Sequence, residues 1–337
     1  MLDSILWLLL GGLLLLLGGE LLVRGASGIA RIFRIPPLII GLTIVAACTG
    51  APEMAVSLTG VFTQNPDIAL GNVVGSNIAN LLLVLGISAM IHPIGVSSRL
   101  IKREIPLLIF ISALTLLFCI QTGTELPAGT ETPVSFHRFP QMAGFLFLGL
   151  YLLYSIWVVR TVHEDHDQEL TAEMQAQPDA VGSCAALRFG KYGLFFLAGL
   201  GMLIFGADRF VFGSVGIATF FGISELVISL TVLAVGTSLP ELVVSCVAAF
   251  RGKCDIAIGN VIGSNTFNLL AILGTSAALN PSGLRVDSPA FLYDIPIMLG
   301  TAIIASILCF TDRKLSRGEG TILTLIYVGY VVFLALR

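Results

Sequence analysis

Apolar residues run through this chain in long blocks, at 3–23, 36–62, 68–91, 104–121, 140–160, 190–213, 224–250, 255–279, 290–310 and 320–336. Each block is near the ~20 residues a helix needs to cross a hydrocarbon core. Lipid admits only helices and closed barrels as spanning elements, and the ten-residue alternation of barrel strands is absent. The pattern therefore predicts an all-α polytopic membrane protein with about ten transmembrane helices. Residues 1–23 lack a basic start and run on into the fold, so no cleavable signal peptide is expected.

The polar residues inside the blocks say one thing twice. Thr49-Gly50-Ala51-Pro52-Glu53 returns as Thr237-Ser238-Leu239-Pro240-Glu241, and Gly71-Asn72 to Asn80 returns as Gly259-Asn260 to Asn268, both displaced by 188 residues. Each half carries five predicted spans. Five is odd, so the second copy enters the membrane from the opposite side. Two inverted five-helix repeats, 1–160 and 189–337, are expected around a linker at 161–188. Inverted repeats built from interrupted helices place a transport site at the repeat interface.

Composition agrees: 56% of the residues are hydrophobic and 12% charged, against about 25% charged in a soluble domain. Assigned to alternate sides, fourteen of the eighteen Lys and Arg residues gather on one side, among them Arg31, Arg103, Arg160 and Arg313. The positive-inside rule makes that side cytoplasmic, with both termini outside. The lipid bilayer is the expected partner, with no nucleic acid and no cofactor. Six scattered cysteines form neither a disulfide framework nor a metal motif. The acidic run His163 to Asp167 reads as a solvated part of the linker. Glu20 and Asp208, also displaced by 188 residues, each lie near an Arg at a span end and read as interfacial anchors.

The chemistry sits where the helices break. Pro52 has no N–H to give the carbonyl of Cys48, and Pro240 does the same to Gly236. Carbonyls freed at membrane depth need another partner, and a desolvated cation can serve. Glu53 and Glu241 follow these breaks directly, and a carboxylate at that depth marks an ion or proton path. Thr49, Glu53 and Ser57 share one helix face by i, i+4, i+8 spacing, as do Thr237, Glu241 and Ser245. Asn72, Ser76 and Asn80, and Asn260, Ser264 and Asn268, repeat that spacing. Four such stripes would supply an all-oxygen cage around two carboxylates, the donor set of hard cations such as Ca²⁺. Gly71 with Gly75, and Gly259 with Gly263, form small-xxx-small faces for close helix packing.

Gly236-Thr237-Ser238-Leu239-Pro240-Glu241 and Gly263-Ser264-Asn265-Thr266-Phe267-Asn268 resemble the alpha-repeats of the calcium/cation antiporter superfamily, in its bacterial sodium/calcium exchanger-like branch. The resemblance implies exchange of Ca²⁺ against Na⁺ by alternating access. It implies a ligand set of Thr49, Glu53, Ser76, Asn80, Thr237, Ser238, Glu241, Ser264 and Asn268, with backbone carbonyls near Ala46 and Ala234. Two positions depart from the pattern. Gly50 stands where Ser is common, and Asn268 stands where some relatives carry Asp.

Two rival readings use the same residues. A H⁺/Ca²⁺ antiporter would load protons on the same two glutamates, and a cation channel would line a pore with them. No Ser/His or Cys/His set and no HExxH motif appears, so an intramembrane enzyme is not expected.

Overall fold

The computed structural model describes residues 1–63, 67–125, 134–161, 185–221, 234–310 and 313–336. Its helices are α1 (Leu2–Phe33), α2 (Pro37–Thr49), α3 (Ala51–Phe62), α4 (Ile68–Ile91), α5 (Ile105–Phe118) and α6 (Gln141–Thr161) in the first half. The second half has α7 (Ala185–Phe220), α8 (Ala234–Gly236), α9 (Leu239–Phe250), α10 (Cys254–Leu279), α11 (Ala290–Phe310) and α12 (Arg317–Leu336). Every predicted span finds a helix. The seventh, 224–250, is described only from Ala234, and most of the linker, 162–184, lies outside the described residues.

Sequence explains the interruptions. Pro37 and Pro52 sit in the first turns of α2 and α3, where their missing N–H costs nothing. The chain bends by 44° between the two helices. Pro240 opens α9 in the same way after a turn at Thr237–Ser238. α3 and α9 correspond residue for residue at the 188-residue displacement, a direct structural counterpart of the repeat. Wide π turns interrupt α4 at Asn80–Val84 and α10 at Asn268–Leu273, and such turns recur at functional sites.

Burial inverts the logic of a soluble protein. In the most apolar window of α10, 94% of the residues are buried, and 72% in α4, against 17–33% for α1, α6, α7, α11 and α12. The helices carrying Asn and Ser therefore form the centre, and α1, α6, α7, α11 and α12 form the rim. Along the rim α1 and α7 lie against each other through glycines spaced by seven, Gly11, Gly18 and Gly25 facing Gly199, Gly206 and Gly213. A Cβ at any of the six would come within 3.0 Å of the other helix's backbone. Of the predicted small-residue faces, Gly259 and Gly263 pack against Leu38 and Leu42 of α2. The equivalent partners of Gly71 and Gly75, around 226–230, lie outside the described residues.

The described residues include five short strands, of which all but β2 pair across the halves: β1 (Ile94–Gly95), β2 (Thr122–Glu125), β3 (Val134–Phe139), β4 (Leu284–Val286) and β5 (Lys314–Leu315). β1 pairs antiparallel with β5, and β3 pairs with both β2 and β4. Each inter-half pairing links the loop after the third span of one half to the loop before the last span of the other. β1 follows three spans and β4 follows eight, so the two ribbons close opposite ends of the bundle. A second symmetric pair lies nearby: Tyr154 donates to Glu104 Oε2 at 3.0 Å, and Tyr330 donates to Asp294 Oδ1 at 3.4 Å.

Candidate cation site

The two broken helices bring Glu53 and Glu241 together at the centre. Each is 1% exposed, and they lie near enough for the charge of one to act on the other. Hydroxyls cross between the halves here: Ser238 Oγ donates to Glu53 Oε1 at 3.4 Å, and Thr49 Oγ1 donates to Asn260 Oδ1 at 3.2 Å. The halves are thus crossed at the site, as a cage at a pseudo-twofold interface requires.

Around this pair Thr49, Ser76, Asn80, Ser238, Ser264 and Asn268 are all buried, at 3% exposure or less, while Thr237 is half-buried. Ala46 is buried, and its carbonyl accepts the Gly50 N–H at 2.9 Å. Ala234 is the first residue of α8. Among the described residues, five buried oxygens in this set have no hydrogen-bond partner: Glu53 Oε2, Glu241 Oε2, Asn80 Oδ1, Ser264 Oγ and Asn268 Oδ1. A buried polar atom left without a partner costs about 1–3 kcal/mol. Hydroxyl, amide and carboxylate oxygens are the donors that Ca²⁺ and Na⁺ take in place of water.

Other members of the four polar stripes are partnered. Asn72 Nδ2 donates to the Glu53 carbonyl at 3.1 Å and to Ser57 Oγ at 3.0 Å. Asn260 Nδ2 does the same to the Glu241 carbonyl at 3.4 Å and Ser245 Oγ at 3.0 Å. The outer members of the stripes therefore clamp each broken helix to its neighbour and hold the glutamates in place. The predicted anchors behave differently in the two halves. Glu20 binds Arg24 and also reaches across to Arg251 beyond α9, at 2.7 Å, whereas Asp208 pairs with the adjacent Arg209, also at 2.7 Å.

Sequence reasoning passed over two features. One is a reciprocal exchange of size. Where Gly50 replaces the equivalent of Ser238, Phe267 fills the space, and a Cβ on Gly50 would lie 2.9 Å from its ring. The repeat equivalent of Phe267 is Ala79. The lost hydroxymethyl and the added ring compensate, and the 50/238 and 79/267 mismatches in the repeat alignment are the signal for it. The other is Asn77, buried between the halves, whose signal is its recurrence as Asn265 in the repeated Gly-Ser-Asn string.

Comparison with known proteins agrees with this geometry. The family model described as sodium/calcium exchanger protein matches residues 3–160 and 191–336. The chain is 38% identical over 335 residues to the putative antiporter CaxA of Alkalimonas amylolytica, covering 98% of each. It is 34% identical to the inner membrane protein YrbG of Escherichia coli, covering 98% of this chain and 95% of that one. It is 32% identical to the sodium/calcium exchanger MaX1 of Methanosarcina acetivorans, covering 98% of each. Its fold matches a structure of the sodium-calcium exchanger NCX_Mj, soaked with Na⁺ and Sr²⁺, with a TM-score of 0.80 at 27% identity and 98% of both chains covered. The chain belongs to the sodium/calcium exchanger family: it is a multi-pass inner-membrane protein of ten-helix inverted-repeat fold, and a secondary active antiporter of Ca²⁺ and Na⁺.

Proposed function

We propose that the exchanged ions share one central cage. Its ligands are Glu53, Glu241, Thr49, Thr237, Ser238, Ser76, Ser264, Asn80 and Asn268, with the carbonyls near Ala46 and Ala234. The observation that carries this reading is the group of unpartnered buried oxygens around two glutamates contributed by opposite halves. The two carboxylates carry a charge of −2 when ionised, which one Ca²⁺ neutralises. When Na⁺ displaces Ca²⁺, the hydroxyl, amide and carbonyl oxygens hold the smaller charge.

In this reading 1–160 and 189–337 are the two five-helix units, and both termini lie outside. Arg99, Lys102, Arg103, Arg313, Lys314 and Arg317 cluster around the β1–β5 end, against Arg138 and Arg285 at the β3–β4 end, which supports a cytoplasmic β1–β5 face. Ca²⁺ then moves outward, driven by inward Na⁺ flow.

The test is radioactive calcium flux in proteoliposomes with Na⁺, K⁺ and H⁺ gradients imposed separately. Glu53→Gln and Glu241→Gln each keep the volume and one oxygen but remove half the charge of the cage, and each is expected to abolish Na⁺-driven flux in a folded protein. Near wild-type flux in either variant would show that the site is elsewhere.

A further inference from the structure

Three residues from three helices form a chain of fixed hydrogen-bond direction that ends at the cage. Asn77 on α4 lies with Nδ2 3.7 Å from Met298 Sδ on α11. A thioether sulfur accepts but cannot donate, so the Asn77 NH₂ faces Met298. Its Oδ1 is thereby turned toward Asn268 on α10. Asn268 answers with its own NH₂, donating to Asn77 Oδ1 at 3.2 Å. Only then is Asn268 Oδ1, buried and without a partner, left to face the cage. Asn77, Asn268 and Met298 are each 1% exposed, so no bulk water is at hand to stabilise the reversed orientation.

The other half lacks this device. Ile105-Pro106 aligns with Ile295-Pro296, which puts Leu108 at the equivalent of Met298. Leucine accepts nothing, and both amide atoms of Asn80, the equivalent of Asn268, lack partners. One asparagine of the cage is oriented by the protein and its mate is not.

We propose that Asn77 is a positioning residue that sets cation selectivity: anchored on Met298, it makes Asn268 present a carbonyl oxygen, and not an NH₂, to the ion. The inference rests on the reading of Asn268 as a ligand. An amide turned by half a rotation replaces a negative pole with a positive one. The energy of an ion against such a dipole scales with the ion's charge, so losing the orientation penalises Ca²⁺ more than Na⁺.

The experiment measures Ca²⁺ and Na⁺ KM values and maximal flux in proteoliposomes for the parent, Asn77→Leu, Met298→Leu, Asn268→Ala and the double variant Asn77→Leu/Asn268→Asp. Asn77→Leu is expected to raise the KM for Ca²⁺ about tenfold, the scale of one lost polar contact, with a smaller rise for Na⁺. Met298→Leu keeps volume and apolarity and is expected to move the Ca²⁺ to Na⁺ ratio the same way by less. A carboxylate is oxygen at both ends and needs no orienting partner, so Asn268→Asp is expected to restore the Ca²⁺ KM in the Asn77→Leu background. A merely structural role for Asn77 would lower the amount of active protein without changing the KM ratio and would not be rescued at 268. Unchanged KM values in Asn77→Leu, or no rescue by Asn268→Asp, overturn the proposal. Where Asn77→Leu does not fold, an unchanged ratio in Met298→Leu does so. An unchanged Ca²⁺ KM in Asn268→Ala overturns instead the assignment of Asn268 as a ligand, a separate result.

Discussion

Restoring the hydroxyl that Gly50 lacks tests how tightly the two halves of the cage are fitted to one another. A Cβ at Gly50 would stand 2.9 Å from Phe267 Cδ1 and 3.1 Å from Cε1, with the Ala46 carbonyl also at 3.1 Å. Ordinary contact between carbon atoms is about 3.5–4.0 Å, so the ring would have to retreat by roughly half an ångström or more. The ring packs in an edge arrangement against Tyr151, with centroids 5.8 Å apart. Overpacking of this kind costs about 1–3 kcal/mol. Gly50→Ser alone should therefore lower the thermal midpoint in detergent, and Phe267→Ala alone should lower it by leaving a cavity. The double variant Gly50→Ser/Phe267→Ala copies the symmetry-related pair, Ser238 and Ala79, which also spans the two halves. It should be more stable than the sum of the single effects by roughly 1–2 kcal/mol, within the range for residues in contact. By the symmetry of Ser238 with Glu53 Oε1, the new hydroxyl would reach the Glu241 carboxylate and add an oxygen beside it, so the double variant should bind Na⁺ more tightly than the parent. Thermal unfolding of all four proteins, with Na⁺-dependent flux, decides the matter. Strict additivity of the two single effects would refute the reciprocal fit.

Two further outcomes follow from the broken helices. Pro240→Ala supplies an N–H that can draw the Gly236 carbonyl into the α9 ladder, so Ca²⁺ binding should weaken with Glu241 intact; unchanged affinity and rate would reduce the proline to a packing feature. Asn260→Leu removes donors to the Glu241 carbonyl and Ser245 and the acceptor for Thr49, a loss of about 1–3 kcal/mol for groups left buried and unpaired. Asn72→Leu removes only two such bonds at a half-buried position. Equal midpoints for these two variants would contradict the clamp.

The parts of the molecule set by composition and by the repeat were legible in the sequence. Lipid forces helices, an odd number of spans forces inversion, and a glutamate beside a mid-span proline locates the centre. What was hidden depends on who faces whom. Asn72 and Asn80 share one helix stripe, yet one clamps a backbone and the other keeps both amide atoms buried without a partner among the described residues, because the broken helix passes only one end of that stripe. The β1–β5 and β3–β4 ribbons were invisible because each strand's partner lies in the other half of the chain. The wide turns at Asn80 and Asn268 leave no mark in the local hydrophobic pattern. The glycines of α1 and α7 were in plain view at a spacing of seven, but nothing in one segment announces that its symmetry mate is its neighbour.

That glycine seam has a mechanical consequence. Backbone meets backbone along α1 and α7, and a shift by one residue would drive bulky side chains such as Leu22 or Phe210 into positions that admit no Cβ. Against the bundle, α1 touches softer material, with Gly19 lying on the side chains of Val243 and Val247 of α9. A force that carries α1 past the bundle must therefore carry α7 with it, and slip is favoured at the bundle over slip at the seam. The two helices belong to opposite halves, so the seam ties the first helix of one half to the first helix of the other as a single bar.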